Sequence, residues 1–441
     1  MKRLRVYLPA LSIFCLALLV RIIYNSTVAR GYIPRYDAGY YNGLGQHLID
    51  EHCFCVEAYK PTTGRAPFWP FIIAAIYTIT GPKNFYARLF LCFLGAGTCV
   101  LTYLYAKDMF NRWIGWIASV IAACYPGLYI YDGWLYSESV YTFLLLAFAY
   151  SLFLLQSTAQ VRWMIASGFA LALAALTRPN GLILLAMLLV WAGIMLKTSI
   201  LSWRVLLRSI LSIVLITLCL IIPWTLRNYK EAHTFIPVAT GSGLVLAGVY
   251  NDTALTDTTS PGMWVPPDFI RPPVDYHGHN CCDYTGEADS IAYARHWIQT
   301  HLSSMPYMLG LHFTNMWRPY TSEDGLPVRE FPQRTASKIV WAMMIITPLP
   351  IFLLAALGLL ATWRRWRELC IIYLMLLFTI IQNTAFYGSS RFRAPIEPLL
   401  VILLGGALWW LTQDAPGTLR AWLSKRRAAQ APAAETIAQT I

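Results

Sequence analysis

Ten stretches of this chain are apolar for long enough to cross a hydrocarbon core roughly 30 Å thick, and that leaves few folds open to it. They lie at about 7–24, 85–106, 113–130, 139–156, 163–177, 181–196, 207–224, 338–362, 369–386 and 395–413. In hydrocarbon every backbone N–H and C=O must find a partner within the protein, so such runs become helices. Only 13% of the 441 residues are charged, about half of what a soluble domain carries. The expectation is an all-α polytopic membrane protein of about 10 transmembrane helices, possibly 11. The 17 Trp and 26 Tyr suit two interfacial belts. The first run follows Lys2, Arg3 and Arg5, is longer than a signal-peptide core and shows no convincing cleavage site, so it reads as a retained anchor.

The stretch 67–81 sets the topology. It is apolar but short, with Pro67 and Pro70 inside it. It is either an eleventh span or an interfacial, partly re-entrant helix in the first outer loop. If it is interfacial, the short loops at 107–112, 157–162, 197–206 and 363–368 share one side with both termini. The net charge of +12 then falls on that side and the other side is neutral. If it spans, Arg364, Arg365, Arg367 and the basic stretch 420–427 all move outside. Lys and Arg collect on the cytoplasmic side, so the interfacial reading is preferred. The positive charge reports topology beside anionic headgroups, not nucleic-acid binding.

Four regions follow: 1–224, an N-terminal membrane half that includes the outer loop 25–84; 225–337, a large extracytoplasmic region; 338–413, the C-terminal membrane helices; and 414–441, a cytoplasmic tail. Within the large outer region 285–302 reads as a helix, with Thr285 as its cap and Glu287 and Asp289 in the first turn. The Ala/Gln/Thr-rich end 428–441 reads as disordered.

Few ionisable residues lie in the middles of the spans, where ion-coupled transporters place them. The polar groups stand at outer ends instead: Asp37, Arg65, Asp132, Glu138, Arg178, Arg227, Arg391 and Arg393. Asp37 is the general-base candidate, because a hydroxyl is a poor nucleophile until a carboxylate takes its proton; alternatively it caps a helix over 38–49. Glu138 is a second carboxylate, or a first-turn acid matched to the helix dipole. Asp132 reads as a turn residue. Arg65 and Arg178 each precede a proline at a membrane edge, where a guanidinium can hold a phosphate in two-point contact or snorkel to headgroups. Arg391 and Arg393 carry the same two readings.

Cys53, Cys55, Cys281 and Cys282 lie in the two outer loops. In an oxidising compartment they predict a bridge between the loops. The rival is a zinc site built from His277, His279, Cys281 and Cys282.

Taken in order, these pieces resemble the family 39 glycosyltransferases, the type-C group that includes protein O-mannosyltransferases and the lipid A aminoarabinose transferase. The resemblance rests on Asp37 with Tyr40-Tyr41, Gly64-Arg65-Ala66-Pro67, Ser137-Glu138, Thr177-Arg178-Pro179-Asn180-Gly181-Leu182, Pro223-Trp224, Arg227-Asn228-Tyr229, and Arg391-Phe392-Arg393-Ala394-Pro395. It implies the type-C architecture, a polyprenyl-phosphate sugar donor, and a glycan, lipid or protein acceptor. It implies an integral cytoplasmic (inner) membrane protein whose site faces the periplasm or cell exterior. Asp37 is then the catalytic base, Glu138 a second carboxylate at the site, and Arg65 and Arg178 hold the lipid phosphate. With arginines to stabilise the leaving group, no metal or other cofactor is required, and a single displacement inverts the anomeric centre. Many relatives have Asp-Glu where this chain has Asp37-Ala38. The competing readings are a lipid-linked sugar or polysaccharide transporter or flippase, and an O-antigen polymerase or ligase-like enzyme.

Overall fold

The computed structural model describes residues 2–57, 59–266, 284–318 and 334–414. The chain opens with α1 (Lys2–Thr27), then α2 (Tyr36–Asp50) and a small antiparallel hairpin of β1 (Cys55–Glu57) and β2 (Lys60–Pro61). Next come α3 (Phe68–Thr80), α4 (Asn84–Met109), α5 (Arg112–Cys124) and α6 (Pro126–Tyr129), which runs into a 3-10 turn, Ile130–Gly133. The membrane half continues with α7 (Glu138–Thr158), α8 (Val161–Thr177), α9 (Ile183–Lys197) and α10 (Trp203–Ala232). The outer region holds α11 (Ser242–Val249), α12 (Asp252–Thr256), α13 (Tyr284–Thr300) and α14 (Met305–Trp317). The chain then re-enters through α15 (Arg334–Ile346), α16 (Pro348–Ala361), α17 (Trp366–Phe386), α18 (Ser390–Arg393) and α19 (Glu397–Trp409).

All ten apolar runs fall on helices. Among the described residues eight helices are long and apolar enough to cross a bilayer, and the α5–α6 pair meets the same test as one element bent by 61°. The remaining run is α8, apolar and only 17 residues long. α3, at 13 residues, rises about 20 Å, too little to cross. It lies against α2, with the Tyr77 hydroxyl donating to Asn42 Oδ1 at 2.7 Å. The stretch 67–81 thus folds as one short helix packed on α2, which fits the interfacial reading.

Paired side chains tie the helix ends. Arg21 of α1 donates to Asp132 Oδ2 at 2.6 Å, with both side chains buried. Arg88 of α4 donates to Asn25 Oδ1 at 2.9 Å and to the Ala29 carbonyl at 3.0 Å. Asp132 does stand in a turn, but its carboxylate serves this ion pair. At the opposite end of the bundle Arg365 donates to the Met109 carbonyl at 2.9 Å, and Gln156 to the Arg367 carbonyl at 2.8 Å. The loops 107–112 and 363–368 thus lie together, away from Asp132.

The sequence Arg178-Pro179-Asn180-Gly181 makes the turn between α8 and α9. Arg178 is extended at φ −145° and ψ 126°, as a residue before proline prefers. A Cβ on Gly181 would lie 2.8 Å from the Ala175 backbone nitrogen, so only glycine lets the turn fold this closely onto α8.

The outer region is pinned to the first loop. α10 runs past the last apolar residue, and its Trp224 and Asn228 side chains donate to the Val238 carbonyl at 2.7 and 2.9 Å. Arg227 donates to the Thr62 carbonyl at 2.6 Å. Thr240 N–H donates to the Thr63 carbonyl at 2.9 Å. Glu287 of α13 accepts from the Gly241 and Gly243 amides at 2.8 and 2.9 Å, closing the start of α11. The expected helix over 285–302 is observed as α13; the cap assigned to Thr285 lies outside the described side chains.

Cys53 is joined to Cys55, with Cα atoms 5.2 Å apart, within ordinary disulfide reach. The first loop's cysteines are thus used locally rather than in a bridge to the second loop. His277, His279, Cys281 and Cys282, and the tail 428–441, lie outside the described residues.

Candidate active site

Of the six residues read as carboxylates of the site or as phosphate-holding arginines, five meet at one end of the bundle. Asp37 sits in the first turn of α2. The helix starts two residues earlier than the sequence reading had it, and Arg35 stands at the N-cap without a side-chain capping bond. Asp37 therefore does not cap. Its carboxylate accepts from Arg65 Nη2 at Oδ1 (3.1 Å) and from Arg391 Nη1 at Oδ2 (2.9 Å). Burial pushes this carboxyl up, but the Arg391 and Arg65 charges and the Arg391 hydrogen bond outweigh it and hold the group at about 2.

Glu138 begins α7, and its side chain is fully buried. It accepts from Arg178 Nη1 at 3.0 Å and from Arg391 Nε through the same oxygen, Oε1. Its other oxygen, Oε2, is buried with no partner among the described residues. Arg391 thus joins the two carboxylates. Aromatic faces fix the guanidiniums from the side: Arg391 lies 4.3 Å from the Tyr136 ring centroid, Arg65 4.8 Å from Tyr40, and Arg178 5.0 Å from Phe392. Such stacking orients a planar cation without consuming its N–H groups.

These groups stand around a cavity of about 540 Å³. Asp37, Arg65, Arg178 and Arg391 line it; Glu138 does not. The side chain of Asp37 is 35% exposed and that of Glu138 is 0% exposed. The two carboxylates are therefore unlike: Asp37 faces the cavity, while Glu138 stands behind Arg178 and Arg391. Phe386, Tyr387 and Phe392 supply an apolar wall, and Thr240 and Ser242 bring the outer region to the rim.

Arg393 is the sixth residue, and it does not join the others. It is fully buried and pairs with Glu397 at 2.7 Å. Its Nη1 donates to the Met316 and Arg318 carbonyls at the end of α14. It holds the outer region to the membrane half. Two residues on a short helical turn project in different directions, and only one of this pair can face the cavity. Nearby, Gly388 passes against the backbone of His312, where a Cβ would lie 1.8 Å from the His312 carbonyl oxygen.

Sequence reasoning missed several groups. Gln382 and Asn383, at the outer end of α17, line the cavity, as does Asn180. The signal was present: two adjacent amides close an otherwise apolar run. Arg21, inside the first apolar run, was also passed over. Among the described residues no three His, Cys, Asp or Glu side chains are placed to hold a metal ion.

Residues 64–226 match the family model of dolichyl-phosphate-mannose-protein mannosyltransferases. That segment includes Arg65, Glu138 and Arg178. No curated protein matches the chain in sequence. Among solved structures, the oligosaccharyltransferase of Archaeoglobus fulgidus, solved with zinc and sulfate, is similar at 13% identity and a TM-score of 0.56, over 91% of this chain and 48% of that one. The AglB oligosaccharyltransferase of the same organism, with an inhibitory peptide and a dolichol-phosphate, gives 15% identity and 0.56, over 94% and 52%. ArnT from Cupriavidus metallidurans bound to undecaprenyl phosphate gives 15% identity over 90% and 77%, at a TM-score of 0.43, too weak to argue from. The chain spans about half the length of the oligosaccharyltransferases it matches. It is a helical membrane protein of the type-C glycosyltransferase fold, similar over residues 64–226 to the dolichyl-phosphate-mannose-protein mannosyltransferases.

Proposed function

We propose that this protein is a membrane glycosyltransferase that moves a sugar from a polyprenyl-phosphate donor to an acceptor on the extracytoplasmic face, with inversion. The observation that carries the reading is the convergence of Arg65, Arg178 and Arg391 with Asp37 on one cavity. Among the described residues three guanidiniums stand with the two carboxylates of Asp37 and Glu138, so positive charge is in excess there. A glycosyl phosphate esterified to a lipid carries one negative charge, so the cluster complements it. The match over residues 64–226 to a family named for dolichyl-phosphate-mannose points to the same donor class.

The chemistry follows from the two unlike carboxylates. Attack on the anomeric carbon needs a base for the incoming hydroxyl and stabilisation for the departing phosphate. Arginines on the phosphate meet the second need. Asp37 meets the first, but in the empty site both its oxygens are occupied by guanidiniums, and a carboxylate held at about 2 is a feeble base. A phosphate can take up the same guanidinium forks in two-point contact. Its arrival draws Arg65 and Arg391 toward itself and frees Asp37 when the donor is in place. Donor binding therefore precedes activation of the acceptor. Glu138 keeps Arg178 and Arg391 aimed throughout and acts as a positioning residue.

Reconstitution with labelled glycosyl polyprenyl phosphates tests this. Transfer of label that depends on Asp37 and on Arg178 supports the reading. Full transfer by Asp37→Asn, or passage of lipid-linked sugar across vesicles without transfer, overturns it.

A further inference from the structure

We propose that Glu287, on the outer-region helix α13, is a positioning residue for the donor-phosphate site: it holds the cavity rim against the loop that aims Arg65. The inference rests on the glycosyltransferase reading above and adds to it a residue that stands outside the cavity wall.

The sequence marks Glu287 only as an acid in the first turn of α13. The structure gives its carboxylate a second task. Oε2 accepts from the Gly241 amide at 2.8 Å, and Oε1 accepts from the Gly243 amide at 2.9 Å and the Ser242 hydroxyl at 2.6 Å. These donors form the open end of α11. A helix leaves its first amides without partners, and an N-cap side chain normally takes one of them. Here the N-cap is Gly241, at φ 103° in the left-handed region that favours glycine. Glycine has no side chain to offer, so a carboxylate 46 residues further along the chain does the capping. Close packing brings it there: a Cβ on Gly243 would lie 2.6 Å from the Glu287 carbonyl oxygen. One carboxylate thus stands at the N-terminal ends of two helices, where their dipoles favour negative charge.

The segment it holds matters because of what it touches. Thr240, Gly241 and Ser242 form part of the cavity wall. Thr240 is tied to Thr63 by amide to carbonyl at 2.9 Å and by hydroxyl to hydroxyl at 3.2 Å. Gly241 lies on Gly64, where a Cβ would come 3.8 Å from the Gly64 carbonyl oxygen. That same oxygen accepts from Arg65 Nη1 at 3.1 Å. The path from Glu287 to the arginine is short: carboxylate, rim backbone, Gly64 carbonyl, guanidinium. Arg178 and Arg391 are aimed by the buried Glu138. Arg65 is aimed from another side, by the Gly64 carbonyl and the Tyr40 ring. A phosphate that takes Arg65 from Asp37 leaves those contacts to fix its direction.

A brace that only kept α11 on α13 would act on the outer region as a whole, whatever stood at residue 65. A positioning residue acts through Arg65, and its effect on binding vanishes once that guanidinium is gone. A double-mutant cycle separates the two.

The full-length protein in detergent is titrated with undecaprenyl phosphate in the wild-type and Arg65→Ala backgrounds. Glu287→Ala is expected to weaken binding about tenfold in the first, the scale of one charged hydrogen bond lost. In the second it should weaken binding by less than about twofold, the range of independent sites. Glu287→Gln keeps one carbonyl acceptor and should restore part of the loss. Gly243→Ala forces α11 off α13 with the carboxylate still present, and should copy Glu287→Ala; it carries the comparison if Glu287→Ala yields no folded protein. Binding unchanged in both variants, or weakened equally in the two backgrounds, overturns the proposal. So does binding that needs Arg178 and not Arg65. If the wild type fails to bind undecaprenyl phosphate, or binds it regardless of Arg65→Ala and Arg178→Ala, the glycosyltransferase reading itself falls and takes this assignment with it.

Discussion

The guanidinium of Arg391 stands 2.9 Å from the Asp37 carboxylate, across 354 residues of sequence. The same side chain bonds the fully buried Glu138. One cation therefore ties a cavity-facing acid to an acid behind it, and it links the C-terminal membrane helices to the first outer loop. The local charge balance sits in five side chains, Asp37, Glu138, Arg65, Arg178 and Arg391, which makes their separate removal informative.

Asp37→Asn removes the proposed proton acceptor and also the partner of two arginines. Transfer is expected to fall by about a hundredfold or more. Undecaprenyl phosphate should bind at least as tightly as in the wild type, because Arg65 and Arg391 lose a competing carboxylate. Parallel transfer and lipid-binding assays give both values; weaker lipid binding would mean that the acid helps to hold the donor.

Arg391→Ala and Arg65→Ala should differ in stability. The first strips one of two cations from a buried carboxylate, and breaking a buried pair costs about 3–5 kcal/mol. The second breaks a half-exposed pair, where about 1 kcal/mol or less is expected. Thermal unfolding in detergent should show a large drop for Arg391→Ala alone, while both variants lose affinity for undecaprenyl phosphate. Equal melting points would contradict the burial argument.

Arg393→Ala should behave as a structural variant. It frees the last carbonyls of α14 and leaves Glu397 buried without its cation. Limited proteolysis of the outer region should accelerate and the melting temperature should drop. The surviving folded fraction should keep its affinity for undecaprenyl phosphate, since Arg393 does not line the cavity.

The pH dependence has a defined sign. Asp37 is held at about 2 in the folded protein, below its unfolded value of about 4. A depressed carboxyl contributes stability above its unfolded value and loses it as pH falls toward its folded value. Between about pH 8 and about pH 5 the contribution of Asp37 should be full and independent of pH. A loss of stability should set in below about pH 4, and Asp37→Asn should remove that part of it.

Gly181→Ala places a methyl group against the α8 backbone at 2.8 Å. Overpacking of this kind costs about 1–3 kcal/mol. Because the same turn carries Arg178 and Asn180, binding of donor lipid should weaken together with the melting temperature. A neutral effect on both would show that α8 and α9 can separate at this turn.

The sequence by itself determined the solvent and hence the class of fold. Ten apolar runs can satisfy their backbones in lipid only as helices, and the uneven placement of Lys and Arg favoured an interfacial reading of 67–81 over an eleventh span. It also named Asp37, Arg65, Glu138, Arg178 and Arg391, because ionisable groups at the ends of such runs stand out against an apolar background. Their inequality was not legible. Whether Asp37 or Glu138 faces the cavity, and whether Arg391 or Arg393 does, depends on helix phase and on which loop packs over which end. Those are long-range matters, decided where α2, α7, α8 and α17 converge. The amides of Asn180 and Gln382 were invisible for the same reason. A polar group acquires meaning only when its neighbours in space are known, and those neighbours come from segments that local pattern cannot connect.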